Sequence, residues 1–579
     1  MADQQCPACM DPEIMIPISR ETTEAFKTGT WSSVRPRFGE KISPCRAACP
    51  AGNNISAAAR AAADGDYDGA LAAFLEETPL PGSCGRVCYH PCQFSCQRSE
   101  QDGSVNIRAL ERAASEYGNA APAMLSEAGK DKSVAVVGSG PAGLSCAYHL
   151  ARMGHPVTVY EAADQAGGLL ARGIPGFRLP EDVLKKDLDR IWSLGVTLKT
   201  GVSINKGQLG ELALSHEAVF LSPGADEHQA LGVPGEDLDG VLKGLDFLRD
   251  EEMQMRCKDA DVFVIGGGNT AIDASRTALR AGAKSVAILY RRTREQMPAF
   301  IDEVFDAEAE GVQVKFLVAP TAFLGEGKLT TVKLAPLELG EPSPDGRLKP
   351  VFIDGPEVEK ACDLVIVAAG QKAAETFMTD DLRWKYNRIC VDGWNRTSNA
   401  KIFAGGDLTP ARASVVDAIA TGKRAALGIH LTVSGNLDDA TLKAVTLGGG
   451  PVFSITACFQ RPEGWQPGKV ASPDDLTLEM IPRQRPQSLP EVDAAERVRS
   501  NKEASQGLSI ESATKEAKRC LVCGTCVGCD RCLIFCPEGA VIPPEKTGDE
   551  YLYRNEYCKG CGVCASVCIR GVMETGGDK

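Results

Sequence analysis

The chain has 579 residues and a formal charge of −14, with 43% apolar and 24% charged residues, which at about 150 residues per domain suggests three to five folded domains. The acidic balance speaks against nucleic acid or an anionic membrane as the main partner. No run of about 18 apolar residues is present to span a bilayer, and Met1-Ala2-Asp3-Gln4-Gln5-Cys6 lacks the basic and apolar regions of an export signal, so a cytoplasmic location is expected. Of the 23 cysteines, eight lie between Cys6 and Cys96 and ten between Cys520 and Cys568. Only Cys146, Cys257, Cys362, Cys390 and Cys458 fall between the two patches. Close CxxC and CxxxC spacing in two patches, without an export signal, is metal-cluster usage in place of a disulfide framework.

In chain order, residues 1–40 are weakly patterned and read as an extension of unassigned role. Residues 41–125 are Ala- and Cys-rich. Apolar positions at 3–4 spacing predict helices over Ile55–Ala63 and 68–77, and the region reads as an all-α domain. Residues 119–131 form a linker. A β-α-β pattern then begins, with a strand at Val134–Val137, a Gly-rich turn, an apolar helix to Met153 and a strand at Val157–Tyr160. It restarts with a strand at 262–265, a second Gly-rich turn, a helix to Arg280 and a strand at 285–289. Late strands are predicted at 364–368 and Ile402–Ala404, and a helix over 510–518 leads into the last cysteines. The expected layout is a first nucleotide domain over 131–250 that returns at 363–435, a second inserted at 251–362, a connector at 436–517 and a Cys-rich domain at 518–579. The fold class is thus an α/β core of two nested Rossmann-like domains, with an all-α N-terminal Fe–S domain and a small α+β C-terminal domain.

The first turn reads Gly138-Ser139-Gly140-Pro141-Ala142-Gly143, between a strand and a helix, with Glu161 closing the next strand. Glycines let the backbone approach a pyrophosphate, the helix start faces its charge, and the distant acid accepts from a ribose hydroxyl. Gly168, Leu169 and Arg178 downstream are further candidate contacts. The second turn, Gly266-Gly267-Gly268-Asn269-Thr270-Ala271, has the GxGxxA form, and its next strand ends in Tyr290-Arg291-Arg292-Thr293-Arg294. Arg291 and Arg292 offer planar forks for a 2′-phosphate, which favours NADPH over NADH. Two such sites, one nested in the other, describe a flavoprotein that exchanges hydride with a nicotinamide. The strands at 364–370 and 402–407 are expected to return to the first domain, with Gly406 and Asp407 at the ribityl chain of FAD. Histidine is scarce, the central domains hold no CxxC for a dithiol relay, and no acid–base pair is evident. Hydride transfer to flavin needs none, so no catalytic side chain is assigned.

Cys526, Cys529, Cys532 and Cys536, then Cys558, Cys561, Cys564 and Cys568, follow two-cluster ferredoxin spacing. Three thiolates two residues apart fit three irons of one cube, and the fourth serves the other. Cys526, Cys529, Cys532 and Cys568 are therefore assigned to one [4Fe–4S] cluster, and Cys536, Cys558, Cys561 and Cys564 to the second. A pair of Cys₄ zinc sites is the competing use of the same residues. Cys520 and Cys523 are surplus to this module.

Several longer stretches resemble the small subunit of NADPH-dependent glutamate synthase and its relatives. They are Cys45-Arg46-Ala47-Ala48-Cys49-Pro50, Gly85-Arg86-Val87-Cys88 with Cys92 and Cys96, Val105-Asn106-Ile107 with Glu111, residues 173–180, Met297-Pro298 and Gly406-Asp407. The resemblance implies FAD at the first turn, NADPH at the second and two [4Fe–4S] clusters in the N-terminal domain, about four in all. In that family an Arg-Cys-Leu-x-Cys-Gly pair precedes the position of Cys45. Here it is missing there, and Arg519-Cys520-Leu521-Val522-Cys523-Gly524 carries it near the other end. Cys520 and Cys523 are therefore expected to fold back and join Cys45 and Cys96 in one cluster, with Cys6 and Cys9 as alternative donors. Cys49, Cys88 and Cys92 hold the other, its fourth ligand, by resemblance, Glu111. Cys84 is set aside as a plain thiol.

The function expected is an NAD(P)H-linked electron-transfer subunit working with a large subunit or a ferredoxin. That large subunit belongs to a glutamate synthase, formate dehydrogenase, 2-oxoacid oxidoreductase, hydrogenase or metal-reducing complex. Two alternatives stay open: a flavin-based bifurcating or ferredoxin:NADP oxidoreductase subunit, and a polyferredoxin-like module with inactive nucleotide sites.

Overall fold

The computed structural model describes residues 27–127, 129–343, 346–460, 468–490, 492–545 and 550–577; Cys6 and Cys9 lie outside them. The chain divides into two units. One joins residues up to Ser43 with 471–482 and the chain from Val522; the other holds 44–470 and 483–521.

In the larger unit, residues 44–117 form helices Pro44–Ala48, Ile55–Ala63, Tyr67–Leu75, Pro81–Val87, Pro91–Phe94 and Ile107–Tyr117, with a 3₁₀ turn at Gln97–Glu100. This is the expected all-α domain. Asn54 and Asp66 cap two of the helices through their side chains. The first nucleotide sheet is wholly parallel, in the order Ile402–Ala404, Ala218–Leu221, Val134–Val137, Val157–Tyr160, Thr197–Lys199. The second is also parallel, in the order Gln313–Phe316, Ser285–Tyr290, Asp261–Ile265, Leu364–Val367, Val241–Lys243.

This order corrects one expectation. Leu364–Val367 does not return to the first sheet. It pairs on one side with Asp261–Ile265 and on the other with Val241–Lys243, so the inserted sheet begins before 251 and ends after 362. Its four residues are apolar and fully buried, as a central parallel strand requires, and such a run suits either sheet equally. A four-stranded antiparallel sheet, formed by Val318–Leu324, Thr331–Pro342, Leu348–Phe352 and Val358–Ala361, stands between the last two strands of the insert.

Two buried helices bind the first nucleotide domain together. Pro141–Arg152 follows the first turn, and Val415–Val433 lies against it. A Cβ at Gly422 would stand 2.0 Å from the Ala142 carbonyl oxygen, so only glycine permits this approach. Ser145 Oγ donates to Ile419 O at 2.8 Å. The same helices dock the N-terminal domain: Tyr148 Oη donates to Leu75 O at 2.6 Å and Arg152 to Glu76 O at 2.8 Å.

The connector is not featureless. Its last helix, Ile510–Ala517, is capped by Ser509 and lies on helices Ile55–Ala63 and Ile107–Tyr117. Tyr67 and Tyr117 hydroxyls donate to the Ile510 and Leu508 carbonyls at 3.0 and 2.8 Å. Fully buried Glu516 accepts from the backbone of Asn106 at 2.8 Å and of Gln487 at 2.7 Å, and from Arg519 at 2.6 Å. Arg519, 1% exposed, also reaches Asp102 at 3.1 Å and the Gly103 and Ser104 carbonyls at 2.6 and 3.1 Å.

In the smaller unit, strand Val34–Phe38 pairs antiparallel with Met573–Gly577. The described part of the extension, from residue 27, is thus part of the Cys-rich module. Lys41 adds ion pairs to Asp475 and Glu574 at 2.6 and 2.8 Å, which ties residues 471–482 to the same body. Among the described residues, no helix is long and apolar enough to cross a membrane.

Breaking the buried Arg519 network leaves Glu516 without its cation, whereas Asp102 keeps Arg98 at 2.6 Å. Arg519→Met is expected to cost about 3–5 kcal/mol, read as a lower urea midpoint. Lys515→Met, which removes an exposed pair with Glu511, costs under about 1 kcal/mol.

Candidate functional site

Gly138 takes φ +95° with its backbone nitrogen bonded to Tyr160 O at 2.8 Å, and a Cβ there would collide with the Ser222 carbonyl oxygen. Gly140 faces open space and stands before helix Pro141–Arg152, whose N-terminus has no side-chain cap. Its first N–H groups therefore point, without a protein partner from the cap, into the space an anion would take. Gly168 sits against Gly140, where its Cβ would be 2.8 Å from the Gly140 Cα, and opens the short helix Leu169–Arg172. Gly406, at φ +63°, is held by Thr421 Oγ1, which accepts from its nitrogen at 2.8 Å, and it faces the Ala142 methyl. The fold thus gathers Gly138, Gly140, Pro141, Ala142, Gly143, Gly168, Leu169, Gly406 and Asp407 around one cradle. Burial pushes the Asp407 carboxyl above its ordinary range against the pull of Arg388. Glu161 is anchored to the turn itself: its Oε2 accepts from Ser139 N at 2.8 Å and from the Ser139 hydroxyl, and its Oε1 accepts from Ala163 N at 2.9 Å and keeps a lone pair for a ribose hydroxyl.

Arg178 stands elsewhere. Its buried guanidinium is neutralised by Asp273 at 2.8 Å and Glu303 at 3.0 Å, and the neighbouring Phe177 ring lies 3.8 Å from the Arg280 guanidinium. It clamps the first nucleotide domain to the helices of the second, an ion-paired role that the sequence reading of Arg178 as a cofactor contact does not anticipate. An arginine in a loop beside a nucleotide fold carries no local mark of a carboxylate waiting about 100 residues away.

The second turn has the same construction. Gly266 N bonds Leu289 O at 3.2 Å, a Cβ at Gly268 would meet Pro298 Cγ at 4.0 Å, and helix Asn269–Arg280 begins without a side-chain cap. Thr270 and Ala271 follow in its first turn. Asn269 Oδ1 accepts from Phe300 N at 3.0 Å and Ala299 N bonds Gly267 O at 3.1 Å, which fixes the Met297-Pro298 loop over the turn. Arg291 is exposed, whereas Arg292 is buried with Nε donating to Leu348 O at 2.8 Å. Partial desolvation, then the charges of Arg292 and Arg347, draw the Arg291 guanidinium below its ordinary value. Three arginines thus bear on one spot. Arg347, from the hairpin between Thr331–Pro342 and Leu348–Phe352, has no signal at sequence level because that sheet was not foreseen. Arg294 is taken up by Glu308.

In the N-terminal domain Cys45, Cys49, Cys88 and Cys92 are buried, as is Glu111, and Cys96 is half-buried. Burial pushes the Cys49 thiol up to about 11, assisted by Glu111. Burial also raises Cys88, then Glu111 and Cys49 act on it; Cys92 is raised by burial and then by Cys49, Cys88 and Cys45. Glu111 itself is pushed up to about 8 by burial and then by Asp187, and it accepts a long hydrogen bond from Asn53 Nδ2 at 3.4 Å. Asn53 Oδ1 is buried without a partner. So many thiols and a carboxylate facing one another in a core call for a cation, which would reverse every one of these shifts. The donors fit an iron–sulfur cluster. Cys84, set aside in the sequence, is fully enclosed and feels Glu111 and Cys88 as they do. Cys520 and Cys96 each pack against the same extended apolar core, Cys520 at the end of the larger unit; Cys523 belongs to the smaller.

In the smaller unit two cavities appear. One, of about 360 Å³, is lined by Cys526, Cys529, Cys532 and Cys568 with Phe38 and Tyr551. The other, of about 410 Å³, is lined by Cys536, Cys558, Cys561 and Cys564 with Pro36 and Tyr553. These are the two quartets read from the spacing. Among the described residues no three Cys, His, Asp or Glu side chains close on a single metal-ion point. A cube binds each thiolate to a different iron, so its ligands surround a volume instead of meeting.

Residues 132–422 match the pyridine nucleotide-disulphide oxidoreductase family and residues 40–122 match dihydropyrimidine dehydrogenase domain II, 4Fe-4S cluster. The chain is 37% identical to the NADP(+)-dependent formate dehydrogenase subunit beta of Moorella thermoacetica, over 83% of this chain and 70% of that one. It is 41% identical to the NADPH-Fe(3+) oxidoreductase subunit beta of Geobacter sulfurreducens, over 70% of this chain and 66% of that one. With the glutamate synthase [NADPH] small chain of Escherichia coli K12 it shares 36%, over 66% of this chain and 87% of that one. The chain belongs to the pyridine nucleotide-disulphide oxidoreductase family and carries a 4Fe-4S domain ahead of its nucleotide-binding core.

Proposed function

We propose that this protein is the NADPH-linked flavin and iron–sulfur subunit of a cytoplasmic oxidoreductase complex. The observation that carries the reading is the conjunction, in one chain, of two uncapped glycine turns on two parallel sheets with buried thiol groups. FAD at the first turn and NADPH at the second exchange hydride, and the clusters move electrons one at a time. The protein's own part is placement. Gly140 and the start of helix Pro141–Arg152 receive the pyrophosphate of FAD, Glu161 its ribose, and Gly406 with Asp407 its ribityl chain. Gly268 and the start of helix Asn269–Arg280 receive the pyrophosphate of NADPH. Arg291, with Arg292 and Arg347, takes the 2′-phosphate.

For the clusters, the proposed ligands are Cys526, Cys529, Cys532 and Cys568 for one and Cys536, Cys558, Cys561 and Cys564 for the next. In the N-terminal domain, Cys49, Cys88, Cys92 and Glu111 hold a third. Cys45, Cys96 and Cys520 contribute to a fourth, the docking of helix Ile510–Ala517 on the N-terminal helices being what supports Cys520. Relatives named as beta or small subunits favour a large partner subunit as the far end of the chain of clusters. Those names span formate, ferric iron and glutamate chemistry.

Two experiments test the reading. Arg291→Ala is expected to weaken NADPH by about 1.5–3 kcal/mol, the scale of charged hydrogen bonds, with NADH nearly unchanged in equilibrium titrations. Equal losses would refute the phosphate role. Cys520→Ala, assembled anaerobically, is expected to lose about four irons while the ferredoxin pair persists; an unchanged iron content would refute the assignment of Cys520.

A further inference from the structure

Lys423 is a lysine with no exposed side-chain surface, inside the larger unit. Its Nζ donates to Glu77 Oε2 at 2.8 Å, to Ala51 O at 2.6 Å and to Phe453 O at 2.7 Å, and it stands 4.4 Å from the centre of the Phe453 ring. Three acceptors around one nitrogen require three N–H donors, which the ammonium has and the neutral amine lacks. The charge is therefore in place. A buried ion pair is weak evidence for stability, since apolar replacements often serve as well, so its location asks for another explanation.

The location is between the two kinds of site. Thr421, Gly422 and Lys423 are consecutive on helix Val415–Val433. Thr421 accepts from Gly406 N, and Gly422 abuts Ala142 at the start of the first turn's helix. Lys423 points the other way, into the loop that follows Cys49. Gly52 N closes that loop onto Cys49 O at 2.7 Å. Arg46, next to Cys45, grips the same loop through Gly52 O at 3.3 Å. Glu77 is shared: besides Lys423 it takes Ile455 N at 3.0 Å and the Ser454 hydroxyl, and Arg46 lies 3.7 Å away. Two cations thus face the Cys49 loop with one carboxylate between them.

We propose that Lys423 sets the reduction potential of the cluster bound through Cys49, holding a fixed buried positive charge beside that loop from the helix that also shapes the flavin cradle. It is a positioning and tuning residue, not a ligand. One-electron reduction adds one negative charge to the cluster, the electron coming from the flavin. A cation in a low-dielectric setting favours the reduced form, so the charge raises the potential. The inference rests on the cluster reading above.

The test is redox titration of the full-length holoprotein followed by electron paramagnetic resonance. The signal lost in Cys49→Ala identifies the cluster. Lys423→Gln is expected to shift that signal's midpoint to more negative potential and to leave the ferredoxin clusters unmoved, and Lys423→Arg, which keeps the charge, to restore the midpoint toward the native one. If Lys423→Gln does not fold with Glu77 left behind, the paired variant Lys423→Met with Glu77→Gln removes both charges, and a smaller shift of the same sign is expected. A native midpoint in the variants that lack the charge would overturn the proposal, as would Lys423→Arg shifting as far as Lys423→Gln. Absence of any signal assignable to Cys49 in the native protein would instead overturn the cluster reading itself.

Discussion

The arginine at 519 and its carboxylate partners Glu516 and Asp102 are the contact that returns the far end of the connector to the N-terminal helices. An iron–sulfur cube needs thiolates from several places in a chain, and under the proposed ligand set this chain would supply some of them some 400 residues apart. The link is made by burying a guanidinium, which is tolerated only with full compensation. Here each end of Arg519 has it, from Glu516 on its own helix turn and from the 102–104 loop. With that clasp closed, the residue after Arg519 is held on the same core as Cys96. A connector that looks like spacer in the sequence is thus a structural return.

Around this fixed point the two nucleotide domains obey the ordinary logic of parallel sheets. Each places a glycine turn at the carboxyl end of a buried strand and a helix start behind it. What joins them is ionic: Arg178 from the first domain, Asp273 and Glu303 from the second. What joins the first domain to the N-terminal helices is also polar, through Tyr148, Arg152 and Lys423. Polar contacts of this kind fix orientation, and electron transfer rewards fixed distances between sites more than it rewards stability.

Much of this was legible because it is local. The glycine turns, the helix over Ile55–Ala63 and the two cysteine quartets are written in spacings of two to four residues, and the cavities in the smaller unit collect those same quartets. The parts that sequence reading misplaced depend on distant partners. Leu364–Val367 is a four-residue apolar run with no periodicity to say which sheet it enters. Val34–Phe38 has an irregular burial pattern, and its partner, Met573–Gly577, lies at the other end of the chain. Arg347 joins the coenzyme arginines only through a hairpin in an unforeseen sheet, and no local pattern sets Lys423 apart from the other lysines. Charges neutralised across domains carry no local signature.

The most direct measurement is the metal and flavin content of the full-length chain assembled anaerobically with iron, sulfide and FAD. The account predicts about one FAD and about sixteen irons, with matching acid-labile sulfide, for four cubes per chain. A chain that bound no FAD, or that stopped at about eight irons with the ferredoxin pair alone, would contradict it.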